Sequence, residues 1–137
     1  MGIMYFDAQP IPEVVEFIRE HYKGGSVIDF GCGTGRYADC FPDDMYLGID
    51  GHERNIEVAK RLRPNKQFAV ANIDQPNKGR KYDYLFSSVV LDQLKNLPKG
   101  WAKTYILIEP EKYEKQFKPK VSEVLRSAPT IRMMVCE

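Results

Sequence analysis

The run Val27-Ile28-Asp29-Phe30-Gly31-Cys32-Gly33-Thr34-Gly35 decides how this chain is read. An apolar segment that carries an acid and closes in three alternate glycines predicts a strand ending in a ligand-binding turn. Glycines there permit positive φ and let the backbone approach a ligand closely. Gly35 then opens a predicted helix whose free N–H groups face the same pocket. Spacing discriminates among ligands. A dinucleotide-binding turn needs G-x-G-x-x-G, its third glycine allowing helix and strand to pack closely, yet Arg36 stands where that glycine belongs. Nicotinamide and flavin dinucleotides are disfavoured. A P-loop fails as well, because no Gly-Lys-Ser/Thr follows the turn.

Working outward, Tyr46-Leu47-Gly48-Ile49-Asp50 reads as a second strand with a terminal acid, and Val70-Ala71-Asn72-Ile73-Asp74 as a third with an acidic turn. Tyr82 to Leu91 supplies a fourth strand and its following turn, and Thr104-Tyr105-Ile106-Leu107-Ile108-Glu109-Pro110 a fifth. In this order, and together with Asp-x-Gly-x-Gly-x-Gly at 29 to 35, these segments resemble the class I S-adenosylmethionine-dependent methyltransferases over roughly residues 12 to 110. The resemblance implies an α/β fold, a three-layer Rossmann-like sheet that is mostly parallel, and S-adenosylmethionine as cofactor.

Ligand chemistry accounts for the acids. Asp50 ends a strand beside the glycine turn, where a carboxylate can accept both hydroxyls of a ribose. As the resemblance implies, Asp74 accepts from an adenine amino group while the backbone at Ile73 reads the ring edge. It also implies that Asp29, beneath the loop, helps hold the loop and the methionine amino group; sulfonium and ammonium groups both favour nearby carboxylates. The expected cofactor-binding set is Asp29, Gly31, Cys32, Gly33, Gly35, Asp50, Gly51, Ile73, Asp74 and Ser87. No catalytic residue is assigned. Cys32 reads as a small filler between glycines, since the sequence places no His or Asn partner for a nucleophilic thiol. Asp92 reads as a surface or capping residue in preference to a base.

Composition bounds the rest. A chain of 137 residues with 43% apolar content reads as one domain, residues 1 to 137, with a real core. Cys32, Cys40 and Cys136 form neither a disulfide framework nor a metal-ligand cluster, and no secretory signal is visible, so a reducing, cytoplasmic setting and no bound metal are expected. No apolar run approaches the roughly 20 residues that span a bilayer. The net charge of +1 conceals a separation: three Lys/Arg against ten Asp/Glu in residues 1 to 53, eight against two in 54 to 82, and nine against four in 95 to 132.

Helices are expected from Pro12 to about Tyr22, ended by Gly24-Gly25, and from Glu53 to Leu62 with Ile56, Ala59 and Leu62 inward. Gln67 to Val70 is read as a short strand and Val89 to Leu97 as a short apolar helix. Beyond Glu109, short helices are expected around Glu111 to Phe117 and Pro119 to Leu125, followed by one strand, Ile131 to Cys136. That makes about six strands with a truncated C-terminal part, one strand short of the family pattern. The resulting sheet edge needs cover, so a homodimer is plausible.

The methyl acceptor leaves no signature, because direct displacement needs alignment and exclusion of water more than dedicated groups. A small molecule is the favoured acceptor. Ser87-Ser88 stand where amino-methylating nucleic-acid enzymes of the class carry Asn/Asp-Pro-Pro-aromatic, which argues against adenine N6 or cytosine N4. Nucleic acid remains an alternative through the basic segments, as does a non-catalytic cofactor-binding subunit supporting a partner. Met4-Tyr5-Phe6-Asp7 is expected either to fold over the cofactor or to pack on the first helix.

Overall fold

The computed structural model describes residues 9–77 and 79–137. Its centre is a seven-stranded sheet in the order β3-β2-β1-β4-β5-β7-β6. The strands are β1 Val27–Phe30, β2 Tyr46–Asp50, β3 Gln67–Val70, β4 Tyr82–Ser88, β5 Ala102–Pro110, β6 Val121–Val124 and β7 Ile131–Cys136. The first five run parallel, and β7 pairs antiparallel with both β5 and β6. Register places Ile28 beside both Leu47 and Leu85. All four residues of β1 are buried, as a parallel strand covered on both faces requires.

Strand parity sorts the core into two faces. On one, Val27, Tyr46, Tyr84, Phe86, Ile106 and Val135 meet α1, Pro12–His21, through Val14, Phe17 and Ile18, and α2, Glu53–Leu62, through Ile56 and Ala59. Pro12 sits in the first turn of α1, where its missing N–H costs nothing, and Gly24 and Gly25 follow in positive φ. The other face, with Ile28, Phe30, Leu85, Leu107 and Met134, is covered mainly by extended chain. Leu91, Leu94, Leu97 and Trp101 come from the segment after β4, and Tyr113 and Phe117 from the one after β5. Among the described residues, only the four-residue helix α3, Glu114–Phe117, and single 3-10 turns stand there. No helix among the described residues is long and apolar enough to cross a membrane.

Four expectations are corrected. No α-helix follows the glycine turn: Gly35 N–H donates to Cys32 O at 2.9 Å, and a single 3-10 turn, Ala38–Cys40, is all that precedes the extended Phe41-Pro42. The segment expected to be helical at 119 to 125 is strand β6, so no strand is missing and the sheet has seven. The edge of the sheet on that side is β6, paired with β7. Val89 to Leu97 holds only the 3-10 turn Leu91–Gln93. Leu62, expected inward, is 45% exposed, one residue before the cap of α2 turns the chain away. The expected N-terminal lid, Met4 to Asp7, lies outside the described residues.

Candidate cofactor and active site

At the C-terminal ends of β1, β2, β3 and β4 the chain opens a cleft of about 760 Å³, bordered by Gly31, Gly33, Asp50, Asn72, Ile73 and Val89. Strand order reverses between β1 and β4, so crossovers leave the sheet in opposite directions and the gap between them forms a ligand crevice. A smaller cavity of about 240 Å³ adjoins it, sharing Gly31, Gly33, Asn55 and Ser88 and reaching Asp29.

Backbone bonds lock the glycine turn. The N–H groups of Gly31 and Cys32 both donate to Ile49 O at 2.9 Å. Gly31 at φ +73 leaves no room for a side chain, since a Cβ there would lie 2.7 Å from Val90 Cγ1. Gly33, at φ +58, is different: a Cβ would meet nothing within 4 Å, so its bare backbone faces the open cleft. Farther along, Arg63 Nη1 donates to Thr34 O at 3.0 Å, and Gly35 at φ +88 lies against Phe68.

Asp50 ties the two strands together. Its Oδ2 accepts from the N–H of Gly33 at 2.9 Å and its Oδ1 from the N–H of His52 at 2.8 Å. Each carboxylate oxygen retains a lone pair for a further donor, and Asp50 borders the main cleft. Gly51 and Ile73 border it too. Asp74 also lies on the rim, but its carboxylate is turned to the backbone N–H groups of Lys95 at 3.0 Å and Asn96 at 3.0 Å. These donors hold its carboxyl below the ordinary carboxylate range.

Asp29 opens onto the smaller cavity and accepts from the hydroxyl of Tyr46. Burial raises its carboxyl to about 7, the Tyr46 hydroxyl opposing the rise and the Asp50 charge adding to it. Cys32 borders the same cavity, its Sγ directed at its neighbour's carbonyl oxygen, and burial pushes its thiol far above the ordinary value. Such a thiol stays protonated, in keeping with a packing role. All three cysteines are free.

Two of the expected cofactor residues border neither cavity: Gly35, which lies against Phe68, and Ser87, which its strand turns away. Parity puts it on the face opposite Asp29, fully buried, with its hydroxyl donating to Glu109 Oε2 at 2.7 Å. Ser88, the next residue, borders both cavities instead. Asp92 accepts from Tyr113 Oη at 2.6 Å and from Lys112 Nζ at 2.8 Å, which holds its carboxyl low and leaves it a poor base. Sequence reasoning did not single out Ser88, Asn55 and Asn72, which border the cavities, or Glu109, which accepts from the turn after β4. For Glu109 the signal was present: an acid closing the otherwise apolar run Ile106-Leu107-Ile108.

Residues 5–113 match the sequence profile of a family described as Methyltransferase domain. The chain belongs to that family. The resemblance drawn from the glycine turn is thereby borne out, and with it the S-adenosylmethionine-dependent methyltransferase class and its Rossmann-like fold. The chain is similar to the tRNA (carboxymethyluridine(34)-5-O)-methyltransferase of Saccharomyces cerevisiae, 32% identical over 84 residues, covering 61% of this chain and 30% of that protein. It spans between 17% and 37% of the length of the curated relatives it matches. Among solved structures, TehB from Haemophilus influenzae superposes with a TM-score of 0.69 at 15% identity, over 93% of this chain and 62% of that one. The Pyrococcus abyssi tRNA (uracil-54, C5)-methyltransferase, solved with S-adenosyl-L-homocysteine, gives 0.67 at 19% identity, over 90% and 36%. Both show the methyltransferase fold.

Proposed function

We propose that this chain transfers a methyl group from S-adenosylmethionine, held across the two cavities, to a nucleophilic acceptor. The observation that carries the reading is the pairing of Gly33 and Asp50. A bare, left-handed backbone faces open space, and beside it a carboxylate keeps one free lone pair on each oxygen. A ribose with two vicinal hydroxyls suits that arrangement. The main cleft then accommodates the adenosine, with Ile73 and Asn72 along the ring, and the smaller cavity the amino-acid tail near Asp29.

S-Adenosylmethionine supplies an electrophilic methyl on a sulfonium that leaves as a neutral thioether. The chain's own part is binding and alignment. Asp50 orients the nucleoside, the glycine turn lets it approach the backbone, and Asp29 faces the cationic tail. A general base is needed only for an acceptor that must lose a proton. The favoured acceptor is a small molecule. A second reading, a tRNA nucleoside, is supported by the similarity to the yeast tRNA enzyme and by the Lys/Arg surplus in residues 54 to 82 and 95 to 132.

Calorimetry with S-adenosylhomocysteine, NAD and NADP tests the cofactor, and only the first is expected to bind. Transfer of a labelled methyl to small-molecule fractions and, separately, to unmodified tRNA decides the acceptor. Cofactor binding with no transfer to any acceptor would instead support the non-catalytic subunit.

A further inference from the structure

Between β4 and β5 the backbone makes a turn that its own residues do not favour. Val89 lies at φ +54, and a β-branched residue there is a genuine outlier, because both of its γ-methyl groups crowd the backbone. The same residue is 52% exposed and stands on the rim of the cleft. Its surroundings must hold it there. Its N–H donates to Ile108 O at 2.8 Å. The next two N–H groups both reach the buried carboxylate of Glu109: Val90 at 3.0 Å to Oε2, and Leu91 at 3.2 Å to Oε1. The Ser87 hydroxyl takes the other side of Oε2.

We propose that Glu109 is a positioning residue for cofactor binding: its carboxylate holds the turn Ser88 to Leu91, left-handed at Val89 alone, in the geometry that seats Val90 over Gly31. The connection is steric and direct. Val90 Cγ1 fills the space that a Cβ on Gly31 would need, so the position of Val90 sets the roof of the glycine turn. Val89 and Ser88, on the same turn, face the cleft. An acid in place of a neutral acceptor strengthens two N–H bonds and one O–H bond at once, which is what a strained turn requires. Burial raises the Glu109 carboxyl while these three donors lower it, so the donors offset part of the cost of keeping a carboxylate there.

The proposal rests on the cofactor reading of the cleft, and its test has an arm that does not. In the ligand-free protein, Glu109→Gln is expected to speed amide exchange at Val90 and Leu91, and to weaken S-adenosylhomocysteine binding about tenfold, because the competent turn is then only fractionally populated. Val89→Gly removes the strain that Glu109 opposes, since glycine adopts positive φ freely. Adding it to Glu109→Gln is expected to restore exchange protection and to bring affinity within about threefold of Val89→Gly alone. A purely structural role for Glu109 predicts equal losses in both backgrounds, and that result, or unchanged exchange in Glu109→Gln, overturns the proposal. If the single variant fails to fold, recovery of folded protein on adding Val89→Gly supports it and failure of the double variant overturns it. Absence of S-adenosylhomocysteine binding in the unaltered protein would sink the cofactor reading, while exchange still decides the role of Glu109.

Discussion

The N–H of Gly33 donates to Oδ2 of Asp50 at 2.9 Å, so the turn after β1 is fastened to the acid that ends β2. On the proposed cofactor reading, one side chain then serves shape and recognition together. Asp50→Ala is expected to loosen the turn and remove the ribose acceptor, weakening S-adenosylhomocysteine binding by about 2–4 kcal/mol, on the scale of two hydrogen bonds to a charged group. Asp50→Asn, which keeps one acceptor oxygen, should fall between the two proteins. Calorimetry on all three checks this order; equal affinities would place the ribose elsewhere.

Asp29 makes stability depend on pH. Its carboxyl is raised from 3.8 to about 7 by burial, so the folded state favours the protonated acid. The stability it contributes is fully present below about pH 4 and is lost as pH rises through about 7. Asp29→Asn retains an acceptor for the Tyr46 hydroxyl and cannot ionise. Thermal melts at pH 4, 6 and 8 should therefore show the variant gaining on the unaltered protein as pH rises. Parallel curves would mean that folding leaves the Asp29 carboxyl at its ordinary value.

Ser87 and Ser88 offer a test of strand parity. Ser87→Ala leaves the buried Glu109 carboxylate short of one donor and is expected to cost about 1–3 kcal/mol of stability. Ser88→Leu places bulk at the junction of the two cavities and is expected to reduce S-adenosylhomocysteine affinity at least tenfold with little change in Tm. Because a one-residue slip exchanges the faces of a strand, the opposite pattern would show that β4 presents Ser87 to the cleft.

Much of this architecture can be read from the sequence where one strong local rule acts alone. The helical spacing of Ile56 and Ala59 fixes α2 at Glu53–Leu62, and the apolar run Ile131 to Cys136 is β7 to the residue. The misread segments are those where local and tertiary signals compete. Val121-Ser122-Glu123-Val124 is short, half-polar and only partly buried, and it is a strand because β7 offers it a ladder. Val89 to Leu97 is apolar enough for a helix, yet Glu109, distant in sequence, captures the N–H groups of Val90 and Leu91 and fixes a tight turn. At the site, the acids and glycines were visible from spacing. The sequence reading names Ser87, whereas it is Ser88 that borders the cavities, because the parity at the end of β4 is set by its register with β1 and β5, distant in sequence.

The strand order has a consequence for how the molecule reaches its native state. β1, the middle one of the five parallel strands, pairs on one side with β4, matching Val27 to Tyr84 and Ile28 to Leu85, and this pairing cannot form until the whole intervening chain has been gathered. That closure costs chain entropy before the buried strands give anything back. With just two helices longer than a single turn among the described residues, little local structure forms early to shorten the search. Folding should accordingly be governed by non-local strand pairing and proceed more slowly than in a helical bundle of equal length. The glycine turn, which lies between β1 and β2, is then completed only after its far wall from β4 has arrived.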